Sequence, residues 1–239
     1  MDLIIFDIDG TLLHTTAVDD SCFVRAAADV FGVQDVSSDW SIYDHCTDVA
    51  IASQIVRERL GRDCTDADIA AFRARFVELL KQEQQRDANL FQEVPGAGQF
   101  IRHLRECGIA ACLATGGFEQ SARFKLRSAS LDCHDLPAAF AEDGPSREEV
   151  VTAAMSRAAR LASEKPPSAA MFRRPVSFGD GVWDVRTAAS LGVPFIGIAT
   201  GARAAQLREA GAEIILSDYA DLNRVLDAIS RAGVPQTVV

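Results

Sequence analysis

Short apolar runs recur along the chain at 3–6, 109–114, 138–141, 176–178, 195–198 and 213–216. Each is too short for a core helix and is bounded by turn-forming or polar residues, which predicts buried strands. From about residue 95 onward these runs alternate with helical periodicity, the pattern of βαβ units and a parallel sheet. Six such strands suit an α/β fold with a doubly wound, Rossmann-like parallel sheet core.

The interval between the first two runs breaks this rhythm. It holds on the order of a hundred residues that read almost wholly as helix, far more than one crossover connection needs. Helical patterns cover 18–31, 48–60 closed by Gly61, and about 66–85 opened by Thr65 as N-cap. The expectation is an inserted α-helical domain over 15–91, with 1–14 and 92–239 forming the sheet domain. Pro95-Gly96 punctuates the return, and 163–168, rich in Ser and Pro, reads as an exposed loop.

With 239 residues, 48% of them hydrophobic, the chain can bury a sizeable core and a second small domain. The formal net charge of −10 opposes nucleic acid and anionic membrane surfaces as partners. Six cysteines form neither C-x-x-C nor a tight Cys/His cluster, which removes a zinc site and reads as reduced thiols in a cytoplasmic protein. The start of the chain lacks a basic leader region, and no apolar run approaches membrane-spanning length. An acidic enzyme with an anionic substrate must still supply local positive charge, for which a divalent metal is suited.

Ligands of open α/β sheets bind beyond the carboxyl ends of the strands, so the polar residues there carry the chemistry. After the first strand stands Asp7-Ile8-Asp9-Gly10-Thr11, with two carboxylates two residues apart. One can attack an electrophile while the other carries a proton; a plain strand-to-loop turn also favours Asp and Gly. After the second strand come Thr115-Gly116-Gly117, whose hydroxyl and N–H groups suit phosphate oxygens at a helix start, or form an ordinary N-cap turn. Gly179-Asp180 ends another strand and Asp184 falls on the next helical turn. These hard oxygen ligands suit Mg²⁺, while Asp184 alone also serves the helix dipole.

Taken in order, these pieces resemble the haloacid dehalogenase superfamily: Asp7-x-Asp9-Gly10-Thr11 its first motif, Thr115 its second, Gly179-Asp180-x-x-x-Asp184 its fourth. The third motif is a lysine, usually beside proline, and here the segment after the third strand has none. Arg147, at the head of the following helix, is the expected stand-in; Lys165, in Lys165-Pro166, ranks second and Lys125 third. The helical insertion resembles the family's α-helical caps, which implies a domain that closes over the site and excludes water. Within it, Thr47 and Asp48 either face a substrate or simply cap a helix, and His14 either lines the junction or is merely exposed.

The resemblance implies a phosphatase of the helical-cap type, similar to phosphoglycolate phosphatase, acting on a small phosphorylated metabolite as a monomer or homodimer. Asp7 would form an aspartyl phosphate, and Asp9 would protonate the leaving alcohol and then activate water. Mg²⁺ would be held by Asp7, the Asp9 main-chain carbonyl and Asp180, with Asp184 either a further ligand or a support for the others, and Thr115, Gly116 and Arg147 would bind the phosphoryl oxygens. Aspartate at position 9 favours phosphoryl chemistry over dehalogenation. A phosphomutase of the same superfamily and a catalytically silent binding protein with this fold are the alternatives; a response-regulator-like phosphate acceptor fits poorly with the long insertion.

Overall fold

The structure is a computed structural model that describes residues 2–163 and 174–236; Lys165 and most of the proposed loop 163–168 lie outside the described residues. Six parallel strands form one sheet: β1 (Asp2–Phe6), β2 (Ala110–Ala114), β3 (Ala138–Ala139), β4 (Arg174–Gly179), β5 (Phe195–Ile198) and β6 (Ile215–Leu216), in the order β3-β2-β1-β4-β5-β6. This is the expected doubly wound α/β core. Three strands end earlier or start later than their apolar runs, β2 by a single residue. The chain leaves β3 at once for a 3-10 turn at Ala141–Asp143, while β6 is only two residues long. β4 is longer, because pairing with β1 in the register Leu3↔Pro175 and Phe6↔Phe178 extends it past its polar start.

Alternation in β1 shows why both sheet faces are covered. Ile4 and Phe6 face one layer, where Phe100 of α4 (Ala97–Glu106), Phe178 and Tyr219 pack. Leu3 and Ile5 face the other, against Val150 and Ala154 of α6 (Arg147–Ser163). The remaining sheet helices are α5 (Glu119–Ser128), α7 (Val182–Leu191), α8 (Gly201–Glu209) and α9 (Leu222–Arg231).

The expected helical block is α1 (Thr16–Phe31), α2 (Asp48–Leu60) and α3 (Asp66–Arg86). Thr65 and Asp68 close a capping box at the start of α3, and Gly61 ends α2 in the left-handed region at φ 65°. Phe23, Phe31, Phe72 and Phe76 form the block's apolar centre, with Phe118 joining from the sheet layer. The chain passes to and from the block side by side: His14 N–H donates to Gln92 O at 2.8 Å and Val94 N–H to Leu12 O at 2.8 Å. His14 itself is exposed there. No described helix is long and apolar enough to cross a membrane.

Phe72 is fully buried and touches four other rings. Phe72→Ala should therefore lower the unfolding free energy by about 3–5 kcal/mol, read from urea denaturation. A loss under about 1 kcal/mol would mean that the block is not held by this aromatic centre.

Candidate active site

Because β2, β1 and β4 are neighbouring parallel strands, their carboxyl ends deliver Asp7, Thr115 and Asp180 to one edge of the sheet. The Asp7 N–H continues the ladder onto Phe178 O at 3.0 Å. The chain then turns sharply: Gly10 adopts φ 76°, and a Cβ there would lie 1.9 Å from Asp180 Oδ2. The first loop can thus press against Asp180 only with glycine at this position.

One carboxylate oxygen from each of Asp7, Asp180 and Asp184 lies within 4.8 Å of the others, and all three side chains are buried. Asp184 also caps its own helix, accepting the Gly181 N–H at 3.0 Å, so the helix-start and site readings of this residue are both true of its geometry. The trio is an oxygen-only donor set suited to a hard divalent cation. Burial pushes the Asp7 carboxyl up to about 7, with Asp184 and Asp9 adding to the rise and Arg147 opposing it. Burial likewise holds Asp180 well above the usual carboxylate range against the pull of Arg203. A bound cation would relieve both.

Arg147, the first residue of α6, reaches into this cluster. Its Nη2 donates to Asp7 Oδ1 at 3.0 Å and also to Asp184 Oδ1. Burial disfavours its charge, yet the Asp184 and Asp7 carboxylates outweigh that and raise its pKa above the ordinary arginine value. Its Nε is buried and finds no hydrogen-bond partner among the described residues. Thr11 adds a hydroxyl donated to Asp7 Oδ2 at 3.3 Å.

Thr115 is buried at the end of β2, and its Oγ1 accepts the Gly117 N–H at 3.1 Å. Gly116 lines the cavity and lies so close to the helical block that a Cβ would meet Cys46 O at 2.3 Å. Thr47 caps α2 by accepting the Ala50 N–H and donates to Pro145 O at 3.1 Å; it does not line the cavity. Asp48 does line it, while its carboxylate accepts the Phe118 N–H at 2.8 Å and its own N–H donates to Gly116 O at 2.7 Å. Burial pushes the Asp48 carboxyl up to about 7, opposed by Lys125 and the Phe118 N–H.

Asp9 is held at both oxygens. Oδ1 accepts the Thr15 hydroxyl at 2.5 Å, and Oδ2 accepts from Lys125 Nζ at 2.5 Å. Lys125 also donates to Asp19 of α1. The sequence ranks Lys125 behind two other cations as the basic residue, yet it and Arg147 both serve the site's acids, one on Asp9 and one on Asp7. Sequence reasoning missed Asp19, Asp20, Trp40, Trp183 and Arg203. Asp19, Asp20, Trp40 and Trp183 line the cavity, the Trp40 indole N–H donates to Asp20 at 2.7 Å, and Arg203 is paired with Asp180. The pair Asp19-Asp20 on an amphipathic helix reads as a solvated face until α1 is seen to turn it inward.

The partly open cavity has a volume of about 80 Å³. A larger cavity of about 460 Å³ beside it shares Asp20, Trp40, Asp180 and Trp183.

Comparison with known proteins gives a family model, haloacid dehalogenase-like hydrolase, matching residues 1–192. No curated protein matches the chain. Solved structures do. A hydrolase from Pseudomonas syringae is 20% identical with a TM-score of 0.70, covering 96% of this chain and 99% of that one. CbbY from Rhodobacter sphaeroides, in complex with phosphate, is 18% identical with a TM-score of 0.59, covering 93% and 96%. A predicted phosphoglycolate phosphatase from Haemophilus somnus 129PT is 15% identical with a TM-score of 0.54, covering 95% and 98%. At these identities the structural likenesses bear on the fold.

Gly10→Ala tests the acid cluster. It adds a Cβ against Asp180 at a backbone angle that costs an alanine about 1–2 kcal/mol. Calorimetric titration with Mg²⁺ should show affinity reduced on the order of 10- to 100-fold with unchanged circular dichroism. Unaltered affinity would mean that Asp180 is not where a cation binds.

Proposed function

The chain belongs to the haloacid dehalogenase-like hydrolases, and on that premise we propose that it is a Mg²⁺-dependent phosphatase of small phosphate monoesters working through an aspartyl phosphate on Asp7. One observation carries this reading: a buried carboxylate trio beside a buried arginine whose Nε has no partner among the described residues. That is a donor set for a cation next to a donor for an anion. A buried unsatisfied donor costs about 1–3 kcal/mol, and a phosphoryl oxygen would satisfy it.

Asp7, Asp180 and Asp184, with the Asp9 main-chain carbonyl, would hold Mg²⁺. The ion would offset charge on the transferring phosphoryl group. Asp7 Oδ attacks phosphorus as the ester P–O bond breaks, and Asp9 gives its proton to the departing alkoxide. Asp9 then takes a proton from water, whose oxygen attacks phosphorus and breaks the aspartyl O–P bond. Arg147 orients the phosphoryl oxygens, with Thr115 and Gly116 along the rest of the loop.

Residues 15–91 would act as the cap. Asp48 bonded to the Thr115–Phe118 loop favours that role, since seating α2 there encloses the phosphate site and keeps bulk water out. The cavity of about 80 Å³ beside Asp7 and Arg147 suits a phosphoryl group, and the adjoining one of about 460 Å³ leaves space for the alcohol it esterifies.

Metal-stripped protein should release phosphate from a panel of small esters only when Mg²⁺ is added, and Asp7→Asn should lower kcat by about 10⁴-fold or more. Turnover without metal, or an active Asp7→Asn variant, would contradict the mechanism. No hydrolysis of any ester by folded, Mg²⁺-binding protein would favour a mutase or a silent binding protein instead.

A further inference from the structure

Lys125 stands apart from the residues that the mechanism uses. It lies on α5, its side chain is fully buried, and it does not line the cavity. Its ammonium is divided between two carboxylates that do line it: Asp9, on the loop after β1, and Asp19, one turn into α1. The other oxygen of Asp9 is taken by Thr15, immediately before α1.

The Asp9 carboxylate is therefore fixed between one donor from the sheet layer and one from the root of the helical block. Two acids this near an ammonium on a helix packed against both layers do not form a surface pair. Removing the cation would leave two half-buried carboxylates facing each other without their shared partner, which is destabilising.

Resting on the phosphatase reading above, we propose that Lys125 is a positioning residue for proton transfer. Its ammonium aims the Asp9 carboxylate at the oxygen that leaves or attacks phosphorus. Through Asp19 it ties that aim to α1, so Asp9 is set when the helical block is seated. Lys125 itself neither gains nor loses a proton in either step. The Asp9 O–H bond breaks as the alkoxide leaves, and the water O–H bond breaks as Asp9 recovers the proton. A general acid or base displaced by about 1 Å loses on the order of 100-fold in rate.

The test uses p-nitrophenyl phosphate with Mg²⁺, because p-nitrophenolate leaves without a proton while hydrolysis of the aspartyl phosphate still needs Asp9 as base. Lys125→Met should give a first-turnover burst of p-nitrophenol, about one per enzyme, at close to the wild-type rate. Steady turnover should then fall on the order of 100-fold with KM not raised. Asp19→Asn should show a smaller change of the same kind, Lys125→Arg should recover part of the loss, and the double variant should fall short of the product of the single effects.

Burst and steady rates falling together, a raised KM with kcat unchanged, or wild-type kinetics in Lys125→Met would each overturn the proposal. If Lys125→Met fails to fold by thermal melting, Asp19→Asn and Lys125→Arg are read by the same criteria. Failure of the wild-type protein to hydrolyse any ester with Mg²⁺ would count against the phosphatase reading instead.

Discussion

Repulsion among buried carboxylates is the constraint that organises this molecule. Parallel strands deliver Asp7 and Asp180 to one edge, Asp184 follows within a turn, and their oxygens lie within 4.8 Å of one another. At an effective dielectric of about 20, each such pair of like charges repels by about 3 kcal/mol. The fold meets this with positive charge from three separate helices. Arg147 of α6 bonds Asp7 and Asp184, Arg203 of α8 bonds Asp180, and Lys125 of α5 bonds Asp9 and Asp19. Even so, burial leaves the Asp7 carboxyl pushed up to about 7 and Asp180 above its usual range. The protein's own cations do not fully answer the acids, which is the electrostatic reason to expect a divalent ion among them.

The same charges connect the helical block to the sheet. Asp48 at the start of α2 holds the Phe118 N–H, Asp19 on α1 meets Lys125, and Thr15 meets Asp9. Apolar contact between the block's aromatic centre and the sheet layer runs through Phe118 against Phe72 and through Phe124 of α5 against Phe91. Polar groups around the cavity add to that attachment between block and sheet. A ligand that draws on those groups has a direct route to alter how the block sits, because buried charge pairs are costly to break on one side only.

The sequence conveyed the fold well because its signals are local. Apolar runs placed all six strands, and Thr65 and Gly61 marked helix ends through capping chemistry that depends on neighbouring residues alone. The errors fall where tertiary pairing decides: β3 stops after two residues at a 3-10 turn, and β4 begins earlier because β1 recruits Arg174 and Pro175. Acids at strand ends were legible for the same reason, since topology alone puts them at one edge. The pairing of Lys125 with Asp19 was not, although Lys125 stands third among the candidate bases. In Arg123-Phe124-Lys125 and in Val18-Asp19-Asp20, charge implies a solvated helix face, and only the packing of α1 against the sheet layer reveals a fully buried ammonium compensated by a half-buried carboxylate. Arg203 lies far along the chain from Asp180 and carries no motif around it.

The central claim is a covalent bond between Asp7 and the phosphoryl group, and the most direct measurement is chemical capture of that bond. Protein turning over p-nitrophenyl phosphate with Mg²⁺ would be treated with borohydride, which reduces an acyl phosphate to an alcohol, and its peptides mapped by mass spectrometry. The account predicts homoserine in place of aspartate at position 7, dependent on both substrate and Mg²⁺. Steady turnover with Asp7 unreduced, or reduction at another carboxylate, would contradict it.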